Sequence, residues 1–426
     1  MTDVAVQWAG INWAGNYRYG ATALHRPESL AELQEIVAAT PRLRVLGSRH
    51  SFTGIVDSAE LVTLEAMTAD PTSPGAVLVD PDRRTVSVDA GLRYGELVTA
   101  LDDAGLALHN MASLPHISVA GAVATATHGS GAGNQNLAAA VAGLELVTSS
   151  GEVVRAARGD ADFDGMVVGL GALGVVTRVT LDVEPAFQVQ QRVFDRLPWT
   201  ALLEHFDEIA SCGYSVSVFT LFGEDVDLVW VKSRTDSPGP EGELFGAVEA
   251  TGERHPIPGI DPTPATAQLG VPGSWSDRLP HFRMGFTPST GNEIQSEYLL
   301  PRRHAVPAIE ALRSLGHRIR PLLQTCEIRT VAADELWMST AHQQDSVAFH
   351  FTWAQSQDEV EELLVSLEAA LLPLGARPHW GKVFLADAGV LAPRYARHAD
   401  FVALVGRLDP RGAFSNPWLE RNVLGS

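Results

Sequence analysis

The chain has 426 residues, with 31 Lys or Arg against 51 Asp or Glu, so its formal net charge is −20. An acidic chain repels phosphate backbones and anionic lipid surfaces, and no basic run offsets this charge, which argues against nucleic-acid and membrane partners. Hydrophobic residues make up 45% of the chain, enough for two or three domains with cores, so disorder is excluded as the main state.

Short β and α elements alternate over the first part of the chain. Apolar residues at helical spacing predict helices at residues 30–37 and 94–101, and strand-like runs are found at residues 42–46, 61–64, 76–79, 85–90, 144–148 and 175–183. The strands on either side of the turn at residues 81–84 predict a hairpin. Pro185 ends this part, and we place a domain boundary there.

Longer strands follow, mixed with two helices. The predicted strands are residues 214–221, 226–232, 293–300, 325–331 and 347–353, and the predicted helices are residues 305–315 and 360–372. This pattern is typical of an α+β domain with a large antiparallel sheet flanked by helices. Residues 236–272 are rich in Pro, Gly, Ala and Thr and are predicted to form a long loop.

Cysteine usage and the N-terminal sequence bear on the compartment. Cys212 and Cys326 provide neither a disulfide framework nor a thiolate metal cluster. The N-terminus carries Asp3 and no basic flank leading into an apolar core, which disfavours a secretory signal. We therefore expect a cytoplasmic protein.

Residues 104–144 contain no Asp, Glu, Lys or Arg, although about eight charged residues are expected in a window of this length. Pro115, several histidines and many glycines interrupt the segment, so it does not have the apolar continuity of a membrane span. Within it, residues 113–131 combine small side chains with hydroxyl groups, which lets the backbone approach a large ligand closely. A tightly packed buried loop is the alternative.

Three histidines in this segment, His109, His116 and His128, raise the question of a metal site. Their spacings match no known ligand pattern and no carboxylate lies between them, so we expect no metal. Residues 169–174 match G-x-G-x-x-G, but they lead into a strand instead of opening a helix, which excludes a nicotinamide site.

Two further segments carry chemistry. Residues 45–51, V-L-G-S-R-H-S, predict a strand end followed by a loop whose N–H groups can form an anion nest; an ordinary surface turn is the alternative. In residues 325–330, T-C-E-I-R-T, strand alternation places Glu327 and Arg329 on one face, either in a cavity or as a surface ion pair on an edge strand. His350 and Thr352 share a face in the same way.

Together these segments resemble the flavin oxidoreductases of the vanillyl-alcohol oxidase and p-cresol methylhydroxylase type. The resemblance lies in G-S-x-H-S at 47–51, T-V-S-V-D-A-G-x-R-Y-G-E-L at 85–97, V-A-G-A-V-A-T-x-T-H-G-S-G at 119–131, residues 169–176, and D-P-R-G-A-F-S-N-P at 409–417. The motifs E-I-R at 327–329 and H-W-G-K at 379–382 are similar to the aldonolactone and alditol oxidase branch, and N-M-A-S-L-P-H-I-S at 110–118 to bacterial alditol oxidases.

This resemblance implies a two-domain fold around FAD. It assigns residues 1–185 to a PCMH-type FAD-binding domain, residues 186–385 to a substrate-binding cap domain, and residues 386–426 to a segment returning to the FAD-binding domain. It implies covalent FAD, attached through its 8α-methyl group to His50. The residues implied to surround FAD are Val45, Leu46, Gly47, Ser48, Arg49, His50, Ser51, Ser113, Ser118, Gly121, Ala122, Val123, Ala124, His128, Gly174, Val175 and His379.

The resemblance also implies an activity. A terminal primary alcohol of xylitol, sorbitol or glycerol would be oxidised by hydride transfer from C1 to flavin N5, with O2 reduced to H2O2. Lys382, Arg329 and Glu327 are implied as catalytic, with Arg329 and Lys382 stabilising the hydroxyl oxygen, and either Lys382 or Glu327 accepting its proton. The implied substrate-binding residues are Ser113, Glu327, Arg329, Thr352 and Lys382.

The expected partners are therefore a small polyol and O2, bound by a monomer. Two alternatives stay open at this point. A sugar-1,4-lactone oxidase or dehydrogenase, of the gulonolactone or galactonolactone type, shares the same fold, whereas a non-catalytic sugar-binding protein would lack a bound flavin. For Lys382 the alternative to a site role is a solvated lysine after a turn.

Overall fold

The computed structural model describes residues 10–68, 75–286 and 293–425. In the first part of the chain the strands are β1 (Ala23–His25), β2 (Leu43–Val45), β3 (Glu60–Val62), β4 (Val77–Asp80), β5 (Thr85–Asp89), β6 (Leu106–Ala107), β7 (Val141–Val147), β8 (Val153–Ala157), β9 (Val175–Asp182) and β10 (Glu184–Pro185). They form a parallel sheet in the order β1-β3-β2, an antiparallel sheet in the order β4-β5-β9-β7-β8, and the ribbon β10-β6. The predicted hairpin is β4-β5, and it is confirmed.

Four helices pack with these sheets: α1 (Leu30–Ala39), α2 (Tyr94–Asp103), α3 (Val119–Ala124) and α4 (Phe163–Val167). Helix α1 begins where its sequence predicts, because the Ser29 hydroxyl accepts a hydrogen bond from the Glu32 N–H at the first turn. Its buried face carries Leu33 and Val37, one turn apart.

The second part is built on one large antiparallel sheet. Its strands are β11 (Gln188–Leu197), β12 (Ser215–Thr220), β13 (Val226–Arg234), β14 (Glu243–Leu244), β15 (Ala247–Glu249), β16 (Gly273–Ser274), β17 (Glu293–Pro301), β18 (Leu323–Val331), β19 (Ser346–Ala354) and β20 (Arg377–Pro378). The order is β14-β15-β11-β13-β12-β18-β19-β17-β20, with β16 paired to β11. The predicted α+β class with a large antiparallel sheet is confirmed.

The helices of this part are α5 (Trp199–Glu204), α6 (Phe206–Ala210), α7 (Trp275–Arg278), α8 (Ala305–Ser314), α9 (Gly316–Ile319) and α10 (Gln357–Leu371). The central strands are almost entirely buried, with the burial of β18 and β19 continuing over both faces of the sheet. One face packs on helices, and the other closes a cavity against the first part of the chain.

The C-terminal helices are α11 (Ala388–Leu391), α12 (His398–Leu408) and α13 (Pro417–Leu419). The segment between α12 and α13 lies against β2. The Leu43 N–H donates to the Ala413 carbonyl at 2.8 Å, and the buried Arg44 guanidinium donates to the Phe414 carbonyl at 2.9 Å. These contacts join the two ends of the chain, while the exact domain boundaries at residues 185 and 385 stay a prediction.

Two local expectations differ from the structure. Residues 119–131, for which the sequence predicts no helix, include the short helix α3, in which Ala and Gly let the backbone turn without crowding. The predicted loop at residues 236–272 includes strands β14 and β15, which add to the edge of the large sheet through β11. Among the described residues, no helix combines the length and the apolar character needed to cross a bilayer.

Candidate active site

A cavity of about 350 Å³ lies between the large sheet and the loops of the first part. Of the predicted site residues, those that line it are Val45, Leu46, Gly47, Ser48, Arg49, His50, Ser51, Ser113, Ser118, Gly121, Ala122, Val123, Ala124, His128, Gly174, Glu327, Arg329, Thr352, His379 and Lys382. Val175 does not line the cavity and Val176 does, because successive side chains of β9 point to opposite faces. The contact of Val175 with FAD stays a prediction.

Two small-residue segments meet at one end of this cavity. The Ser118 N–H donates to the Ser48 hydroxyl at 3.0 Å, which joins the loop after β2 to the start of α3. A Cβ added at Gly47 or Gly121 would meet the Ser118 hydroxyl oxygen at 2.8 or 2.7 Å, so a larger residue at either position would displace that hydroxyl. The result is a largely uncharged wall with backbone N–H donors, which suits a pyrophosphate group.

His50 lines this cavity beside an aromatic side chain. Its ring stacks on Trp13, with 5.2 Å between ring centroids, and neither ring nitrogen has a hydrogen-bond partner of good geometry among the described residues. Burial lowers the pKa of His50 to about 4, so the imidazole is neutral near pH 7. A half-buried, neutral imidazole with unengaged nitrogens fits the predicted covalent contact with FAD.

The loop that carries His50 is tied to the segment that carries Lys382. The Phe52 N–H donates to the Gly381 carbonyl at 2.8 Å. That segment is in turn fixed to β17, because the Val383 N–H donates to the Gln295 carbonyl at 2.9 Å. Lys382 therefore lies at the junction of the cofactor loops and the large sheet.

The opposite wall of the cavity is set by strand register. Glu297 of β17 and Glu327 of β18 both lie directly opposite His350 of β19, so the three residues form one row across three adjacent strands. The next row on the same face contains Thr352, with Thr325 as its partner on β18. The predicted alternation of Glu327 and Arg329 on the cavity face is confirmed.

Glu297 is the centre of the charged cluster, and its side chain is 1% exposed. Arg329 Nη2 donates to Glu297 Oε1 at 2.6 Å, and Lys382 Nζ donates to Glu297 Oε2 at 2.6 Å. His128 Nε2 lies 3.2 Å from Glu297 Oε1. Burial raises the pKa of Glu297, but the two cations outweigh it and hold that pKa well below its ordinary value.

Glu327 has a separate set of contacts. His281 Nε2 lies 2.7 Å from Glu327 Oε1, and Arg329 Nε lies 3.6 Å from Glu327 Oε2. Burial raises the pKa of Glu327, whereas Arg329 and His281 lower it. The net result is a pKa well below the ordinary value. Arg329 Nη1 also reaches the Ser113 hydroxyl at 3.4 Å. Arg329 thus contacts both carboxylates and Ser113.

Lys382 is largely enclosed rather than solvated, with 13% of its side chain exposed. Its Nζ lies 2.6 Å from His350 Nδ1, and His350 Nε2 lies 3.3 Å from the Thr352 hydroxyl. Burial lowers the pKa of Lys382, although Glu297 opposes this shift. Burial and the neighbouring Lys382 lower the pKa of His350 to about 4, so His350 is neutral near pH 7.

The structure separates the three histidines of the uncharged segment. His109 contacts the Gln135 carbonyl at 3.2 Å, and His116 contacts the Met284 carbonyl at 2.9 Å. Only His128 reaches the charged cluster. His379, also predicted, lines the cavity beside His128, and its Nδ1 accepts the Gly381 N–H at 3.1 Å.

Glu297 and His281 were not predicted from the sequence, and His350 was predicted to share a face with Thr352 without a role. A weak signal for Glu297 existed, because this acidic residue directly precedes the apolar run Y-L-L-P within the predicted strand at residues 293–300. No local pattern marked His281, which lies in a loop after α7.

Two known protein families match the two parts of the chain that form the cavity. Residues 21–157 match the family described as an FAD binding domain, and residues 288–422 match the family described as D-arabinono-1,4-lactone oxidase. The chain is 49% identical to an alditol oxidase from Streptomyces sp., over 96% of this chain and 98% of that protein. It is 31% identical to the L-gulono-1,4-lactone dehydrogenase of Mycobacterium tuberculosis, over 97% of this chain and 98% of that protein.

The fold is shared with an oxidase of known structure. The crystal structure of cholesterol oxidase from B. sterolicum matches with a TM-score of 0.76 over 96% of each chain. The sequences are 15% identical, so this likeness concerns the fold alone.

Proposed function

The chain belongs to the alditol oxidase branch of the PCMH-type FAD oxidoreductases, and on that premise we propose that it oxidises the terminal primary alcohol of a polyol such as xylitol or sorbitol. The products are the corresponding aldose and H2O2. FAD, when bound, supplies the redox chemistry by accepting a hydride equivalent from the alcohol carbon and passing two electrons to O2. Side chains of this chain are proposed to stabilise the substrate oxygen, accept its proton and bind the other hydroxyl groups.

The observation that carries the proposal is that Arg329 and Lys382 share one buried carboxylate, Glu297. Arg329 and Lys382 are held 2.6 Å from the two oxygens of one buried carboxylate, in the same cavity as His50. A hydroxyl oxygen that loses its proton acquires negative charge, and preorganised cations in a water-poor site stabilise that charge strongly.

We propose Lys382, and not Glu327, as the acceptor of the hydroxyl proton. A neutral lysine has two N–H groups, and Lys382 can donate one to Glu297 and the other to His350 Nδ1. Its lone pair is then left for the substrate O–H. Burial lowers the pKa of Lys382, which makes its neutral form more accessible, whereas Arg329 and His281 lower the pKa of Glu327, which makes its carboxylate a weaker base. After the transfer, Lys382 is the cation beside the substrate oxygen.

Glu327, Thr352 and Ser113 are proposed to bind the other hydroxyl groups. A carboxylate accepts hydrogen bonds only, whereas a threonine or serine hydroxyl both donates and accepts. Because the three side chains line one cavity, they offer a polyol chain partners of both kinds along its length. These contacts position the terminal carbon of the polyol.

A second candidate function is oxidation of a sugar-1,4-lactone. It is favoured by the match of residues 288–422 to the family described as D-arabinono-1,4-lactone oxidase and by the 31% identical L-gulono-1,4-lactone dehydrogenase. The higher identity to the alditol oxidase favours the polyol.

The purified holoenzyme should be compared on xylitol, sorbitol, glycerol and L-gulono-1,4-lactone, with H2O2 release and flavin reduction recorded in parallel. We expect xylitol and sorbitol to give the highest kcat/KM with H2O2 formed in step with substrate oxidised. Faster reduction by the lactone would favour the second candidate. Flavin reduction by xylitol without H2O2 in air would indicate a dehydrogenase.

Covalent attachment at His50 predicts how flavin behaves on denaturation. In the wild type, acid precipitation is expected to leave the yellow colour in the pellet, because a neutral imidazole nitrogen bonds the 8α-methyl group. In His50→Ala the flavin is expected in the supernatant. Trp13→Phe keeps a stacking ring and serves as the control, with its flavin in the pellet; flavin that stays with the His50→Ala pellet would contradict this linkage.

A further inference from the structure

A buried lysine outside the proposed catalytic cluster is connected to it by one histidine. Lys232 lies in β13, and its Nζ donates to the carbonyls of Leu279 and Pro280 at 2.6 and 2.7 Å. The same Nζ lies 3.1 Å from His281 Nδ1, and His281 Nε2 lies 2.7 Å from Glu327 Oε1. Two side chains thus connect the interior of the large sheet to Glu327.

The hydrogen-bond inventory fixes where the protons are. Glu327 is ionised and can only accept, so His281 Nε2 carries the proton that bonds it. Burial lowers the pKa of His281 to about 4, so the ring is neutral and Nδ1 is an acceptor. Burial lowers the pKa of Lys232 as well, yet Nζ faces three acceptors, and only the ammonium form satisfies all three.

Within the described residues, Nδ1 of the His281 ring contacts Lys232, and Nε2 contacts Glu327 and, at a longer distance, the Ser217 hydroxyl. Phe219 and Trp230 flank the ring, with centroid distances of 5.8 and 5.2 Å, and the Ser217 hydroxyl lies 3.5 Å from Nε2. The charged groups that face the Lys232 and His281 pair are Glu327 and Arg329 from β18 and Arg278 from α7. Lys232 is therefore the group that determines the state of Nδ1.

We propose that Lys232 and His281 are positioning residues, which hold Glu327 in the orientation and the ionised form in which it accepts a substrate hydroxyl. This inference rests on the proposed function, because the hydroxyl belongs to the polyol. His281 occupies Glu327 Oε1, which leaves Oε2 facing Arg329 and the cavity. Without Lys232, Nδ1 is free to take up a proton, and the imidazolium would then bind Glu327 as an ion pair and draw it from the substrate.

The first experiment reads the hydrogen-bond arrangement without turnover. Holoenzyme carrying ¹⁵N-histidine is compared by NMR with the His281→Gln variant, whose missing signals assign His281. We expect an unprotonated Nδ1 and a protonated Nε2 in the wild type at neutral pH, and a His281 ring that takes up its second proton at a higher pH in Lys232→Met than in the wild type. A wild-type ring with its proton on Nδ1, or an unchanged His281 signal in Lys232→Met, would overturn the proposal.

The second experiment is a double-mutant cycle on xylitol binding, measured as KM and as the apparent Kd from single-turnover flavin reduction. Lys232→Met is expected to weaken binding by about tenfold, as for loss of one hydrogen bond to a charged group, with a smaller change in kcat. In the Glu327→Gln background the same change is expected to have less than about a twofold effect. Equal effects in both backgrounds would show a merely structural role and overturn the proposal.

Two controls keep the result interpretable. Ser233→Ala changes a buried neighbour on the opposite face of β13 and is expected to leave binding unchanged. If Lys232→Met does not fold, His281→Gln and His281→Phe take its place: Gln keeps one acceptor and one donor and should bind xylitol as the wild type does, whereas Phe should weaken binding about tenfold. Equal binding by both variants would overturn the proposal. A wild type that oxidises no polyol would remove the proposed function instead, while the NMR comparison still decides the hydrogen-bond arrangement.

Discussion

Lys382→Met is expected to slow flavin reduction by xylitol by roughly a thousandfold, measured in anaerobic single turnovers. Methionine fills a similar volume but neither accepts the hydroxyl proton nor provides a cation beside the substrate oxygen. In the wild type the rate should rise with pH as Lys382 loses its proton, through a pKa that burial holds below its ordinary value of 10.5. That rise should be absent in Lys382→Met.

Lys382→Arg separates the two roles of this side chain. Arginine keeps a cation near Glu297 but stays protonated at every accessible pH, so it cannot act as the base. We expect Lys382→Arg to be nearly as slow as Lys382→Met and equally independent of pH. Near-wild-type rates in Lys382→Arg would assign the proton transfer to another group, and an unchanged rate in Lys382→Met would remove Lys382 from the reaction altogether.

Glu297→Gln is expected to have the second large effect, on stability as well as on rate. The change removes the carboxylate that Arg329 and Lys382 share and leaves Glu327 as the carboxylate close to Arg329. Breaking a buried ion pair from one side costs about 3–5 kcal/mol. Urea unfolding of the holoenzyme measures this cost. The matched control is Gln295→Met, which changes a residue on the same face of β17 without adding a charge.

The same substitution should shift the pH dependence of the rate in a known direction. Glu297 favours the protonated form of Lys382, so its removal lowers the pKa of Lys382 further. The rising limb of the rate profile is therefore expected at lower pH in Glu297→Gln than in the wild type. A limb that moves to higher pH, or does not move, would contradict the proposed pairing.

The low pKa of Glu297 also has a consequence for stability. A carboxyl whose pKa is lower in the folded chain than its ordinary 4.5 stabilises the fold above that value, and the stabilisation is lost as pH falls through the folded pKa. Glu327 acts with the same sign. Wild-type stability should thus fall below about pH 4.5, and Glu297→Gln should show a shallower fall.

Much of the cofactor end could be predicted from the sequence. Glycine and serine at residues 47–51, and small residues without charge at residues 113–131, reflect local demands on backbone approach, and such demands are written in consecutive residues. The helix within residues 119–131 was missed because Ala and Gly without charge give no amphipathic pattern.

The sequence by itself determined the α+β class, the strand alternation of Glu327 and Arg329, and the small-residue walls, since each depends on the period or composition of one segment. Only the tertiary structure decided that Glu297, His350 and Glu327 form one row, because cross-strand register brings together residues that are distant in sequence. The same holds for Lys232 and His281. Their connection to Glu327 depends on a loop conformation and on burial that changes protonation, and neither leaves a pattern along the chain.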